Sequence, residues 1–345
     1  MEKARLDWGN LIFGYTKTDY NVRCYYRNGK WGELEISSSE SINLNIASVS
    51  LHYGQQAFEG LKIFEGQDGK ARVFRLEENA KRMQLSSEGI LMAKVPTELF
   101  KKAVYKAVEL NRKFIPPYGS GASLYARPLL IGSGGKLGIG PADEYMFTVF
   151  VSPVGPYFRE GFKPVSLLLV RNHDRTAPLG TGRYKVGGNY AASFTAMKEA
   201  KDKGFSNVLY LDSLHKKYID ECGPANFFVI KKEENKITYV TPKADKTILA
   251  SITNKSLMKI AEDLGYEVIR RELELEELDN FDEAGACGTA AVISPIYKIR
   301  DDENNKDYIF GVKEKAGEIS TILYNKLLAI QTGDIKDENN WVEFI

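Results

Sequence analysis

After Pro96 the apolar positions Phe100, Ala103, Val104, Ala107 and Val108 recur every three or four residues. That spacing predicts an amphipathic helix with Thr97 as N-cap, stopped by Pro116 and Pro117. The same period predicts a helix over about 251–264, from Leu257, Ile260, Ala261 and Leu264. A last one covers about 313–330, from Ile319, Ile322, Leu323, Leu327 and Ile330. Strand-like runs are RVFR (72–75), followed by a helix over 76–85, then SLYARPLLI (123–131) and EYMFTVFVSP (144–153), joined by the glycine-rich GSGGKLGIG. Downstream come VSLLLV (165–170), a helix around AASFTAMKEAKDKG closed by Gly204, and the strands NVLYLD, YIDE, NFFVIK and KITYVTP. Strands and helices alternate without a strict βαβ rhythm, which predicts a mixed α/β (α+β) fold rather than a doubly wound one. The proline- and glycine-rich segment 154–164 reads as a linker between a small N-terminal α/β domain, 1–153, and a larger C-terminal domain, 165–345.

Composition narrows the chemistry. The 345 residues are 43% hydrophobic and 27% charged, a globular composition, and 47 Lys+Arg against 46 Asp+Glu leave a net charge of +1. So balanced a charge argues against nucleic acid and membrane surfaces as partners, and for a small molecule or a second copy of the chain. No apolar run approaches the roughly 20 residues of a membrane span, and the N-terminus has no apolar leader core. Three scattered cysteines, Cys24, Cys222 and Cys287, favour a reducing compartment, the cytoplasm by default.

Several site chemistries lose their usual motifs. His52, His173 and His215 form no HExxH pair, and GxSxG, P-loop and CxxC patterns are absent, so no metal is expected. Gly180-x-Gly182 begins a dinucleotide fingerprint, but its third glycine falls on Lys185. Glycines flank that lysine in GTGRYKVGGNY, which lets the backbone approach a bulky group. A lysine in a partly dry pocket has its pKa lowered and can then condense with a carbonyl, the chemistry of pyridoxal phosphate; a solvated lysine in a plain turn is the competing reading.

Five segments in order, LHYGQQAFEGLK (51–62), LYARPLLIG (124–132), GRYKVGGNY (182–190), ECGPANFF (221–228) and GTAAVISP (288–295), resemble the motif set of the branched-chain amino acid aminotransferases, class IV pyridoxal-phosphate enzymes. The resemblance implies a two-domain class IV fold, an α/β sandwich followed by a pseudo-barrel domain. It implies pyridoxal 5′-phosphate as cofactor, Lys185 as the catalytic Schiff-base lysine and Glu221 as the carboxylate on the pyridine nitrogen. Arg82 and the amides of Ile252 and Thr253 would hold the phosphate, and Tyr190 the phenolic oxygen. Thr289, also placed at the cofactor, and Ala290 would bind the substrate carboxylate. Tyr53, Phe58, Tyr125, Ile139 and Tyr157 would wall the side-chain pocket, and Arg127 would receive the acidic partner. In such a family Ile139 comes from the neighbouring subunit of a homodimer. Ala291 and Ser294 stand where mammalian members carry a CxxC pair, and Pro224 where they carry a threonine. The implied reaction is ping-pong transamination of Leu, Ile or Val with 2-oxoglutarate. A D-amino-acid transaminase or an aminodeoxychorismate lyase shares the fold; a non-catalytic phosphate-ligand binder is the alternative from another class.

Overall fold

The computed structural model describes residues 2–156, 161–244 and 246–345. Contacts divide the chain into two compact units. One comprises Met1–Arg159, Tyr184–Gly188 and Ala329–Ile345, the other Glu160–Arg183 and Asn189–Leu328. The short piece around Lys185 and the C-terminal tail therefore pack with the first unit, although a boundary drawn at a single linker assigns them to the second.

The first unit is built on an antiparallel sheet. Its strand order is Val342–Phe344, Ala71–Phe74, Leu61–Glu65, Ser123–Gly132, Tyr145–Val154, Asn21–Arg27, Lys30–Trp31, with Glu35–Ser37 and Gln56–Phe58 as side branches. Tyr145–Val154 is buried at nearly every position, as expected of a central strand covered on both faces. The helices Leu76–Gly89 and Thr97–Leu110 supply part of that cover, and Phe100, Val104, Leu124, Ala126 and Phe147 meet in one core. Thr97 turns out to be the first helical residue: Pro96, with ψ 142°, takes the N-cap position because its fixed φ and missing N–H suit it to a helix entry.

The second unit carries a mixed sheet in the order Asn207–Tyr210, Val165–Val170, Val292–Asp301, Glu283–Gly288, Ala225–Glu233, Lys236–Pro242, Glu267–Arg271. Val165–Val170 runs parallel to both of its neighbours, and Lys236–Pro242 parallel to Glu267–Arg271. YIDE yields only the two-residue strand Glu221–Cys222, paired back on Ala225–Glu233 around Gly223, whose φ is +53°. The helix predicted over 251–264 is Ile252–Asp263; the last one starts later than its pattern suggests, at Glu318, and runs to Thr332. Among the described residues no helix is long and apolar enough to cross a membrane, and no cluster of His, Cys, Asp or Glu is placed to hold a metal ion.

Candidate functional site

In the first unit the alternation of the strand Ser123–Gly132 sends Leu124, Ala126 and Leu130 into the core and Tyr125 and Arg127 to the opposite face. Ladder register adds neighbours on that face: Phe58 lies opposite Leu129, and Lys62 opposite Tyr125. The Arg127 guanidinium sits 4.7 Å from the Phe58 ring centroid and donates through Nη2 to the Tyr125 hydroxyl at 3.1 Å. Its Nε is buried and has no hydrogen-bond partner among the described residues. The glycine in FEGLK has a steric reason, since a Cβ on Gly60 would lie 1.9 Å from the Tyr125 hydroxyl.

Lys185 joins the same group. Its Nζ stands 4.7 Å from the Phe58 ring centroid, its carbonyl accepts from the Phe58 N–H at 3.1 Å, and Val186 pairs with Ala57 in an isolated antiparallel bridge. Arg82, one-tenth exposed, donates to both oxygens of the fully buried Glu59 at 2.8 Å, through Nε and Nη2. A guanidinium has five N–H donors, so this fork orients Arg82 without exhausting it. Tyr53 and Ile139 lie at the surface. Tyr53 is half exposed and donates to the Leu137 carbonyl at 2.6 Å, while Ile139 is 92% exposed. Tyr157 lies outside the described residues.

The second unit gathers the remaining residues. Glu221, 3% exposed, meets Arg175 Nη1 at 2.9 Å and accepts from Asn226 Nδ2 at 2.5 Å and from the Leu249 N–H at 3.1 Å. Arg175 also reaches Asp220 at 3.1 Å and donates to the Thr247 carbonyl. Burial opposes the Arg175 charge, but Glu221 and Asp220 outweigh it and raise its pKa. Ile252 and Thr253 open the helix Ile252–Asp263, whose N-cap Ser251 accepts from the Asn254 N–H at 3.2 Å. The amides of a first turn, together with the helix dipole, favour an anion there. Tyr190 lies on the short helix Gly187–Ala191.

Thr289 and Ala290 belong to the three-residue turn closed by the Gly288–Val292 pair. Val292 ends that turn with φ +65°, a conformation β-branched residues avoid, and is nonetheless buried.

Comparison with known proteins supplies the family. The family model described as amino-transferase class IV matches residues 56–299. A branched-chain-amino-acid aminotransferase of Haemophilus influenzae is 45% identical over 343 residues, 98% of this chain and 98% of that protein. One of Helicobacter pylori strain J99 is 48% identical over 339 residues, 98% of this chain and 97% of its own length. The chain is a class IV aminotransferase. A solved branched-chain amino acid aminotransferase from T.th., complexed with N-(5′-phosphopyridoxyl)-L-glutamate, superposes on this aminotransferase with a TM-score of 0.76 at 27% identity, covering 95% of this chain and 99% of that one.

A phosphopyridoxyl group asks for cationic or amide donors, an amine and a buried carboxylate acceptor. The first unit offers Arg82, Lys185 and the Arg127 Nε, a donor with no acceptor among the described residues, and the second offers the start of the helix Ile252–Asp263 and Glu221. On this observation the residues fit the group.

Reading the sequence missed several partners in this aminotransferase. Glu59 lay inside a quoted motif without a role; Arg175 and Asp220 had none, although the acidic doublet Asp220-Glu221 implies a nearby cation once buried. Lys62 was missed as well. Burial pulls its ammonium down to about 8. An unfolded lysine keeps its proton to about pH 10.4, so the unfolded chain binds more protons between those values and stability rises with pH across that window. Lys62→Met is expected to raise the thermal midpoint at pH 7 by about 2–4 °C and to flatten that rise, as scanning calorimetry at pH 7, 9 and 10.5 would record.

Proposed function

We infer that this chain, with pyridoxal 5′-phosphate bound, transfers the amino group of leucine, isoleucine or valine to 2-oxoglutarate, giving branched 2-oxo acids and glutamate. The observation that carries this reading is the single sheet face on which Lys185, Phe58, Tyr125 and Arg127 meet, an amine beside an aromatic wall and a guanidinium with a donor to spare. When bound, the cofactor supplies an electron sink for negative charge developing at the substrate Cα. Lys185 would be the base that takes the proton at that carbon and the acid that returns it at C4′. Glu221 would hold the proton at the pyridine nitrogen, its carboxylate fixed in place by Arg175 and the Leu249 N–H.

Arg82 and the amides of Ile252 and Thr253 bind the phosphate, Tyr190 and Thr289 steady the cofactor, and Thr289 with Ala290 takes the substrate carboxylate. Phe58 and Tyr125, with Tyr53, Tyr157 and Ile139, form the apolar pocket, in which dispersion and burial select the aliphatic side chain. Arg127 receives the acidic side chain of glutamate or 2-oxoglutarate. In this scheme 1–153 forms the small domain, 154–164 the linker and 165–345 the cofactor-binding domain, with Tyr184–Gly188 and Ala329–Ile345 clustering with the small one. Three buried, unpaired cysteines support a reducing, cytoplasmic setting.

Steady-state rates with L-leucine, L-isoleucine and L-valine against a panel of D-amino acids, all with 2-oxoglutarate, test the reading. Preference for D-alanine, or release of pyruvate from aminodeoxychorismate, would overturn it.

The working form is a homodimer. Ile46, Leu137 and Ile139 are 87, 79 and 92% exposed on neighbouring loops, one of which leads into the helix Val49–Tyr53 with Leu51 and Tyr53 also exposed, and so much uncovered apolar surface suits a subunit contact. Ile139→Asp is expected to shift the protein toward monomer in sedimentation velocity and to raise the KM for leucine about tenfold, because a charge is buried at the contact. An unchanged dimer with an unchanged KM would remove Ile139 from both roles.

A further inference from the structure

We propose that Ser86 is a positioning residue for Lys185, setting where the lysine side chain leaves the backbone; this rests on the reading of Lys185 given above. The Lys185 N–H donates to Ser86 Oγ at 2.9 Å, and Ser86 is 1% exposed. The Lys185 carbonyl is held by the Phe58 N–H at 3.1 Å, so both peptide groups of the residue are pinned, one to a helix and one to a strand. The preceding residue is wedged as well, since a Cβ on Gly89 would lie 2.3 Å from the Tyr184 ring.

Ser86 stands four residues after Arg82 on the helix Leu76–Gly89, which places the two side chains on one helix face. One helical turn thus carries both the cation assigned to the cofactor phosphate and the acceptor that fixes the lysine backbone. Glu59, one residue after Phe58, grips Arg82 with both oxygens, so strand and helix are tied at each end of that turn. Without the Ser86 hydroxyl oxygen the part-buried Lys185 N–H loses this acceptor, and the segment is free to shift toward another. Displacements of about 1 Å are enough to slow a reaction between held partners.

The neighbouring serine provides the control. Ser87 is fully buried, but its hydroxyl donates to the Met83 carbonyl of its own helix at 2.7 Å. Full-length protein freed of cofactor is mixed with pyridoxal 5′-phosphate and quenched with borohydride at intervals. The lysine nitrogen bonds to the aldehyde carbon, water leaves, and the hydride-reduced adduct is counted on the Lys185 peptide by mass spectrometry. Ser86→Ala is expected to form the adduct about tenfold more slowly, with the affinity for inorganic phosphate, measured by competition, within twofold of wild type because Arg82 is untouched. Ser87→Ala is expected to match the wild-type rate. Ser86→Cys, which keeps side-chain volume but only a weak acceptor, serves the same test if the alanine variant does not accumulate. An adduct rate in Ser86→Ala equal to wild type, or an equal slowing in Ser87→Ala, overturns the proposal. Absence of any adduct at Lys185 in wild-type protein overturns the reading of the site itself.

Discussion

Lys185→Ala is expected to lose turnover by about 10⁴-fold or more and to lose the borohydride-trapped adduct with it, because the same amine attaches the cofactor and moves the proton. Folding should survive the change. The main-chain bonds of residue 185 to Ser86 and Phe58 do not depend on its side chain, and the Nζ contact with the Phe58 ring is worth only about 1 kcal/mol. The variant can therefore be compared with wild type at equal thermal midpoint. A sharp alternative exists in Lys62, whose pKa of about 8 leaves it partly unprotonated near neutrality. If peptide mapping of Lys185→Ala found the trapped cofactor on Lys62 with activity intact, the catalytic amine would have been misassigned.

Glu221→Gln is expected to lower kcat by about 100-fold while the cofactor stays bound, the loss of one strong charge-assisted hydrogen bond to the ring nitrogen. Glutamine has nearly the same shape, and its carbonyl oxygen can still accept from Asn226 and Leu249. Removing one member of a buried ion pair ordinarily costs about 3–5 kcal/mol, because the other charge is stranded. Here Arg175 keeps Asp220 at 3.1 Å and the Thr247 carbonyl, so the stability loss should be well below that figure. Single-turnover measurements with leucine, followed through cofactor absorbance, would separate the two effects. A normal rate in Glu221→Gln would show that the ring nitrogen needs no carboxylate.

What the chain reveals by pattern and what it conceals divide along a physical line. Helices driven by a local apolar stripe, such as Thr97–Leu110, and buried strands such as Val165–Val170 are legible because their signal lies within one window. The three-residue strand Gln56–Phe58 carries too little period to be seen, and Glu221–Cys222 keeps only the end of the predicted YIDE; each exists through pairing with another segment. The same holds for the site. A lysine between glycines suggests a reactive amine, and the motif set supplied roles for Arg82 and Glu221. Which groups brace them, Glu59 and Arg175, depends on contacts 23 residues apart in one case and on the path of an entire unit in the other. Lys62 shows the limit most plainly: nothing in LKIFE marks its lysine as half-buried until the ladder sets it opposite Tyr125.

Val292 bears on how this enzyme could be improved. A buried valine held at φ +65° gives up about 1–3 kcal/mol that glycine or asparagine in the same place would recover, offset in part by the apolar surface it covers. Laboratory selection for heat resistance has an obvious foothold at this position. It is an awkward one, because the residue closes the turn formed by Thr289, Ala290 and Ala291, and a looser hinge there would trade durability against the precision of the carboxylate contact proposed for Thr289 and Ala290.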